Sequence, residues 1–395
     1  MPVVFLTGFN GSAMTHANYG MPNLFISNSD PYNQLVVKSA ENAVNLMWGN
    51  ITANDMLAPR FCVIGRKWGN STYNGYPSLT MGPSTTDPTA KCIAFYCNFG
   101  NPSDWRMGWG MYFAPLGFTA STSFRVGVRV FRNNTLSGAY PLLIGDMTTN
   151  AETTSRFTYN WEKGKEVYLE VEWYADTKTL NLYIDDELVQ TTGPGFTTYV
   201  PTQGISFLSE LYNSNTAINA IHSEYKDVYV QRIDSEADIR LGSATKVWPF
   251  FPNSDDEVEY LRPAGYNSNA AVAALPMNNN SNTPPMPNPT TAFLSATDIG
   301  QSDMYNTNAT GIASKLSTVE AVMIRTYALN PLTGTRQMTV KASLNGVVAE
   351  SPLSTVPNDT SGFRLKSLIM TSDPNGTRWT PSTVSALKIG TQVKS

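Results

Sequence analysis

The feature that most constrains this chain is a pair of alternating segments around a short polar loop. From 167 to 174 every second residue is aliphatic or Trp, and the residues between them are Tyr or Glu. The same alternation returns from 180 to 184, after five turn-forming residues at 175–179. A period of two places one set of side chains on each face of a strand. The segment therefore predicts a β-hairpin with one buried face and one outward face.

Comparable runs predict strands throughout the chain, at 124–131, 227–233, 320–327, 337–344 and 363–370. Charged residues make up only 15% of the sequence, against about 25% in ordinary soluble domains. The polar share comes instead from Asn, Ser, Thr, Gly and Pro, which favour turns and exposed strand faces over helices. The sequence therefore predicts an all-β protein with many loops.

One short helix is predicted near the end of the chain. Thr380 is a suitable cap, and Pro381 suits the first helical position. Val384 and Leu387 then fall on one face, and Gly390 is expected to end the helix.

The length of the chain favours two domains. At 395 residues it suits two units of roughly 150–250 residues each. A strand at 227–233 followed by a shift in composition predicts a first β-domain at 1–235 and a smaller β-domain with the late helix at 236–395. Within the latter, residues 275–291 are rich in Pro and Asn, which form neither a ladder nor a helix, so an exposed loop or arm is expected there.

Charge and hydropathy exclude several classes of partner. The net charge is −4, and the absence of a long Lys/Arg run argues against nucleic acid. No stretch approaches 18 apolar residues, so no membrane span is expected.

The start of the sequence lacks the pattern of a signal peptide. With three cysteines, Cys62, Cys92 and Cys97, the sequence is therefore expected to carry reduced thiols and to be made in a cytosol.

Catalytic groups are scarce. The two histidines, His16 and His222, lie far apart without a neighbouring acid at a useful spacing. No nucleophile elbow, zinc-binding helix or phosphate loop is present. Glu170 and Glu172 share a strand face and could act as a glycosidase pair. Lectin-like glycosidases carry a third carboxylate that is missing here, so a solvated strand face is the favoured interpretation.

Metal ligands also fall short of a known pattern. The acidic runs at 185–187 and 255–257 could bind Ca²⁺, but neither matches an EF-hand loop, and solvated turns are favoured. The cysteines lack the paired spacing of a zinc site. No catalytic, cofactor-binding or metal site is therefore predicted, and the chain is not expected to be an enzyme.

The best candidate binding surface is aromatic. Exposed aromatic side chains stack on sugar rings or anchor protein interfaces. In a β-sandwich, however, at least half of these residues are expected in the core. The candidates for a glycan or protein interface are Trp68, Tyr73, Tyr76, Trp105, Trp109 and Tyr112.

Several segments carry a family resemblance. Residues 163–191 resemble the central hairpin of concanavalin A-like and laminin G-like sandwiches, in which a strand with a Trp precedes a Leu-x-Leu-Tyr-Ile-Asp-Asp strand. Residues 5–12, 225–230, 247–255 and 370–380 are similar, in the same order, to segments of tailed-bacteriophage structural proteins. The resemblance implies a concanavalin A-like jelly-roll domain followed by a smaller β-domain, with a place in the virion and no shared activity.

The expected function is therefore assembly. The resemblance implies a tail, neck, baseplate, head-fibre or capsid-decoration protein that binds other phage structural proteins. It would be made in the host bacterial cytoplasm and located in the virion. A homotrimer is expected by analogy with phage appendages. One alternative is a receptor-binding lectin that recognises host surface glycans. Another is a glycan-degrading enzyme, against which the low charge, scarce His and absent acid cluster count.

Overall fold

The structure is a computed structural model of the chain. The described residues are 3–7, 35–39, 60–64, 104–112, 118–134, 140–145, 155–159, 166–192, 204–212, 221–248, 250–274, 293–356 and 364–395. They form two compact units, of which the first ends at Val247 and the second begins at Trp248.

The first unit contains two antiparallel sheets, as the expected sandwich requires. Its strands, among the described residues, are β1 (Val3–Thr7), β2 (Leu35–Ser39), β3 (Arg60–Ile64), β4 (Asp104–Tyr112), β5 (Phe124–Asn134), β6 (Tyr140–Gly145), β7 (Ser155–Tyr159), β8 (Glu166–Tyr174), β9 (Thr179–Ile184), β10 (Glu187–Thr192), β11 (Gly204–Tyr212) and β12 (Ile221–Arg232). The first sheet has the order β10-β9-β8-β5-β12-β3-β2, with β1 also paired to β12. The second sheet has the order β4-β11-β6-β7.

The predicted hairpin is confirmed as β8 and β9, which pair from Leu169–Ile184 to Tyr174–Thr179. Its apolar positions are buried, and Trp173 is among the largest fully buried side chains. The alternating residues of β5 and β12 bury the same face. Each such large side chain contributes about 1.5–3 kcal/mol on burial, so this face is the core of the first sheet.

In the described part of the second unit there are a six-stranded sheet and a two-stranded ribbon. Its elements are β13 (Pro252–Val258), α1 (Asn269–Ala273), β14 (Ser302–Thr307), α2 (Thr310–Ala313), β15 (Val322–Ala328), β16 (Arg336–Leu344), β17 (Val347–Glu350), β18 (Ser354–Val356), β19 (Arg364–Met370), α3 (Pro381–Ser385) and β20 (Lys388–Val393). The third sheet has the order β13-β14-β20-β16-β17, with β18 also on β16, and β15 pairs with β19. A buried cluster that includes Val340, Ile324 and Trp379 joins the sheet to the ribbon.

The predicted late helix is confirmed as α3, and its end is corrected. Thr380 caps it in a reciprocal capping box with Thr383, and Pro381 is its first residue. Val384 and Leu387 are buried together in the core cluster. The helix ends at Ser385, whereas Gly390 lies within β20, where close packing against β14 requires a glycine.

The fold class is all-β, as the alternation predicted. The three short helices named above are minor parts of the described chain, and two of them, α1 and α2, were not predicted. No helix in the described ranges is long and apolar enough to cross a membrane. The Pro- and Asn-rich stretch 275–291 lies outside the described residues.

Candidate functional site

The predicted aromatic surface is placed in part. Trp105, Trp109 and Tyr112 all lie on β4, the end strand of the second sheet, where Trp109 is in register with Phe207 of β11. The other three candidates lie outside the described residues; they are Trp68, Tyr73 and Tyr76. The aromatic surface therefore stays a prediction.

The outward face of the first sheet holds a site that the sequence did not predict. We call it the polar face; it consists of Arg125, Arg129, Tyr168, Glu170, Glu172, Asp227, Tyr229 and Gln231, all of them buried. The favoured interpretation of Glu170 and Glu172 as part of a solvated strand face is therefore wrong. Residues 234–247, here called the covering segment, fold back over this face and hydrogen-bond to it.

Glu170 lies at the centre of the polar face and is 0% exposed. Its Oε2 accepts hydrogen bonds of 2.6 Å from the hydroxyls of Tyr168 and Tyr229. Its Oε1 accepts a hydrogen bond of 2.5 Å from Nε of Arg240, a residue of the covering segment. Burial, the neighbouring hydroxyl and the carboxylate raise the pKa of Tyr168 well above its ordinary value, so both phenols stay protonated donors.

Gly127 makes this arrangement possible. Gly127 is on β5, where it lies opposite Glu170 of β8 and opposite Tyr229 of β12. A Cβ at this position would lie 2.1 Å from Cε1 of Tyr229 and 2.6 Å from the hydroxyl of Tyr168. The missing side chain leaves room for the two tyrosine rings to meet over β5 and share one carboxylate.

A second row of the polar face runs across the sheet from Gln231 through Arg125 to Glu172. Arg125 donates to Glu172 Oε1 at 2.7 Å through Nε and to Gln231 Oε1 at 2.7 Å through Nη1. Nη1 also lies 3.1 and 3.0 Å from the carbonyl oxygens of Asp238 and Ile239. Arg125 thus joins the sheet to the covering segment.

A third attachment lies at a β-bulge in β12. The register with β5 shifts between Lys226 and Tyr229, and Asp227 has a φ of 53°. The Asp227 carboxylate accepts from Arg129 at 3.3 Å and from the backbone amide of Val247 at 3.0 Å. The bulge therefore directs this carboxylate towards the end of the covering segment.

The acidic run at 185–187 consists of a tight hairpin turn, Asp185 and Asp186, which is bound to the covering segment, and of Glu187, the first residue of β10. Asp185 and Asp186 both have positive φ, as a two-residue turn of this hand requires. The Asp186 carboxylate accepts from the amide and hydroxyl of Ser243 and from Arg240 at 3.2 Å. Burial acts to raise the pKa of Asp186, but these hydrogen bonds and the Arg240 charge outweigh it and lower the pKa.

The geometry of Glu170 and Glu172 determines their chemistry. They are 0% and 2% exposed, and each is paired with an arginine, Glu170 with Arg240 and Glu172 with Arg125. A glycosidase pair needs a substrate between its carboxyl groups, and here that space holds the chain's own side chains and the covering segment. The arrangement fastens a segment of chain to a sheet.

The second unit has a smaller buried site around Asp303 of β14. Its Oδ1 accepts from the amides of Glu259 and Tyr260 at 2.8 Å each. Its Oδ2 accepts from Asn269 at 2.8 Å and from the Tyr305 hydroxyl at 2.6 Å. Burial and the Asp303 carboxylate raise the pKa of Tyr305, which stays a donor. Asp303 therefore holds the loop after β13 and the start of α1.

The second acidic run, 255–257, is not a turn but part of β13. The Asp255 carboxylate accepts from the amides of Asn269 and Ala270 at the start of α1, and Asp256 pairs with Lys388 at 2.6 Å. The interpretation as a solvated turn is therefore wrong. Among the described residues, no group of three or more His, Cys, Asp or Glu is arranged to hold a metal ion.

Comparison with known proteins gives no sequence family. No family model matches the chain, and no curated protein matches it. Among solved structures it is similar to lectin II from Ulex europaeus, with 9% identity and a TM-score of 0.24 over 36% of this chain and 87% of the lectin. A Trypanosoma rangeli sialidase shares 17% identity, with a TM-score of 0.24 over 36% of this chain.

A further sialidase shares 11% identity, with a TM-score of 0.26 over 41% of this chain. The matched regions span 16% of that sialidase and 28% of the Trypanosoma rangeli protein. Likenesses at these scores carry no argument about function, so the function is argued from the residues themselves.

Proposed function

We propose that this chain is a structural component of a tailed-phage virion that acts through protein–protein assembly. The observation that carries the proposal is that the polar face binds the covering segment of its own chain. Its arginines and carboxylates bind one another and the covering segment. Charged groups that converge on a segment of the same chain serve to fix that chain, which suits a scaffold.

The residues that carry the phage-protein resemblance support this role. Residues 225–230 lie in β12, and residues 252–255 begin β13. In the closing segment, Asp373 accepts from the amides of Asn375 and Thr377, and the Trp379 indole donates to the Met370 carbonyl at 3.1 Å. The resemblance thus rests on residues that fix turns and cores.

An available strand edge also supports assembly. β17 is the end strand of the third sheet, and among the described residues it pairs with β16 alone. Its Val347 and Val348 side chains are 42% and 48% exposed. An edge strand with apolar side chains is a site for a protein partner. Other phage structural proteins, or further copies in a homotrimer, are the proposed partners.

Immunogold labelling of intact phage particles with an antibody against this chain tests the proposal. Label over the head, neck or tail shaft is expected for a decorating or joining protein, and label at the tail tip for a baseplate or fibre protein. Absence of label from every particle, with the antibody shown to bind the purified chain, would refute a place in the virion.

A receptor-binding lectin is the second candidate function. It is favoured by the three predicted aromatic residues that share the end strand β4, Trp105, Trp109 and Tyr112. Saturable binding to host surface polysaccharide is expected, and W105A with W109A should abolish it. F293A, at an exposed aromatic residue of the second unit, is the control and should bind normally. Equal binding by the double variant and the control would exclude this surface.

A further inference from the structure

The covering segment is bound to the polar face mainly through its main chain. Four carbonyl oxygens of the segment accept hydrogen bonds from Arg125 or Arg129; they belong to Asp238, Ile239, Ser243 and Thr245. In the other direction, the amides of Ser243 and Val247 donate to Asp186 and Asp227. Such contacts recognise an extended peptide with little dependence on its side chains, as in main-chain peptide recognition.

One side chain of the segment, that of Arg240, adds specificity. It donates to Glu170 at 2.5 Å and to Asp186 at 3.2 Å. Its guanidinium carbon lies 3.6 Å from the centre of the Tyr183 ring. By contrast, the neighbouring Ile239 side chain is 66% exposed. The segment is thus anchored by one planar cation that both stacks and forms ion pairs, for which lysine is a poor substitute.

The charged groups of the polar face need the partners that the covering segment supplies, namely main-chain carbonyl groups and one arginine. Without the covering segment, Glu170 would lose its Arg240 partner, and Arg125 would lose two carbonyl acceptors. Glu170 would keep Arg125 at 3.7 Å, but it would lose its shorter ion pair, and charged groups that lose their partners destabilise a fold. The face therefore fits an extended peptide with carbonyl groups at both arginines and an arginine between them.

The start of the segment is the part that must open for exchange. After Arg232, the Asp238 carboxylate accepts from the amides of Asp234 and Ser235 at 2.9 Å each, which closes a local turn. This turn is exposed, with Ser235 and Glu236 on its surface. Opening it costs few buried contacts, so the rest of the segment can leave the sheet while β12 stays paired.

We infer that the polar face is a peptide-binding site, filled in this chain by its own residues 238–247, and that the same residues of a second copy are the ligand it accepts in trans. Exchange of the covering segment would link copies without any new interface chemistry. The inference rests on the proposed assembly function and names the partner as a second copy of this chain.

The test uses a fluorescently labelled synthetic peptide spanning 234–247 and full-length chains with the covering segment weakened. In R240A the resident segment lacks its anchor, and in S243A it lacks only the hydroxyl bond to Asp186. The labelled peptide should bind R240A saturably in fluorescence anisotropy and S243A more weakly. The wild-type chain should not bind it, because its own segment competes at an effective concentration in the millimolar range.

A control peptide with Arg240 replaced by Ala should bind at least about 100-fold more weakly, since it cannot pair with Glu170. Hydrogen exchange of residues 238–247 in both variants, with β8 as the internal reference for folding, reports release of the resident segment. If the segment stays protected in R240A, or is released without peptide binding while β8 stays protected, the inference is wrong. Label on particles combined with failed peptide binding would leave the proposed function intact and remove segment exchange.

Discussion

Among the described residues, each of the two units has one carboxylate that is completely buried, and the two are satisfied in different ways. Glu170 in the first unit accepts from two tyrosine hydroxyls and an arginine. Asp303 in the second unit accepts from two backbone amides, an asparagine and a tyrosine hydroxyl. In both cases a tyrosine two residues away on the same strand donates at 2.6 Å. Only Glu170 has a cation among its donors.

The difference follows from what each carboxylate holds. Asp303 binds amides of residues 259 and 260, which follow the neighbouring strand β13 and are fixed by the local chain path. Glu170 binds Arg240, a side chain of a segment that returns across the sheet. An ion pair in a buried site is strong only while both partners are present. The covering segment therefore depends on charge, whereas the loop at Asp303 depends on neutral hydrogen bonds.

The same change at both carboxylates tests this contrast most directly. E170Q removes the buried charge that pairs with Arg240 and should lower the free energy of unfolding of the first unit by about 3–5 kcal/mol. D303N removes a charge that neutral donors satisfy and should cost the second unit about 1–3 kcal/mol. Hydrogen exchange read by mass spectrometry over β8 and β14 reports each unit separately.

Equal losses in the two variants would break the comparison, because they would mean that the cation at Glu170 adds nothing. In E170Q we further expect residues 238–247 to exchange faster than β8. In D303N the corresponding change should appear at Glu259 and Tyr260, whose amides donate to Asp303.

Each carboxylate also lies beside a strand glycine, and these glycines give the next largest effect. A Cβ on Gly390 would lie 1.9 Å from the backbone oxygen of Asp303, whereas one on Gly127 would meet the Tyr229 ring at 2.1 Å. Overpacking costs about 1–3 kcal/mol and more where nothing can move. A ring can shift and backbone in a sheet cannot, so G390A should lower the melting temperature more than G127A.

G311A provides the control, since a Cβ on this glycine in α2 meets nothing within 4 Å. That change should leave stability the same or raise it by up to about 1 kcal/mol. A G127A chain as unstable as G390A would show that Tyr229 is held as rigidly as main chain. A harmless G390A would contradict the close packing of β14 against β20.

Local patterns in the sequence were sufficient to predict some of the strands. The alternation at 167–174 and 180–184 corresponds to β8 and β9, and Thr380 with Pro381 marks the start of α3. These signals are local, because side-chain period and capping depend on residues within one turn or strand. Strands with mixed or acidic composition, such as β13, gave no such signal and were missed.

The burial of the polar face could not be read from the same pattern. Arg125 and Glu172 occupy the outward positions of their strands, as predicted, and the alternation gives no reason to cover them. They are buried because a segment more than a hundred residues beyond Arg125 returns to accept its hydrogen bonds, as the carbonyls of Asp238 and Ile239 show. Such a return is a tertiary event. The opposite charges at Arg125 and Glu172 would have indicated a buried ion pair only once β5 and β8 were known to pair.

The smallest expected effect concerns Asp186, which binds the covering segment beside the polar face, and the pH dependence of the stability that it contributes. Asp186 is half-exposed, and its pKa is lowered because hydrogen bonds from Ser243 and the charge of Arg240 outweigh burial. D186N should therefore cost at most about 1 kcal/mol near neutral pH, as expected for an exposed pair. The measurement is the difference in melting temperature between wild type and D186N as a function of pH.

The sign of this dependence follows from the direction of the shift. A carboxyl group whose pKa is lower in the folded state stabilises the fold above its unfolded pKa of about 3.9. That stability disappears as the pH falls through the folded pKa, below 3.8. The difference between wild type and D186N should thus be constant from neutral pH down to about 4 and vanish in more acidic solution. E236Q, which removes an exposed charge from the same segment, should show no such step. A step of equal size in E236Q would mean that net charge, rather than the Asp186 contacts, holds this part of the covering segment in place.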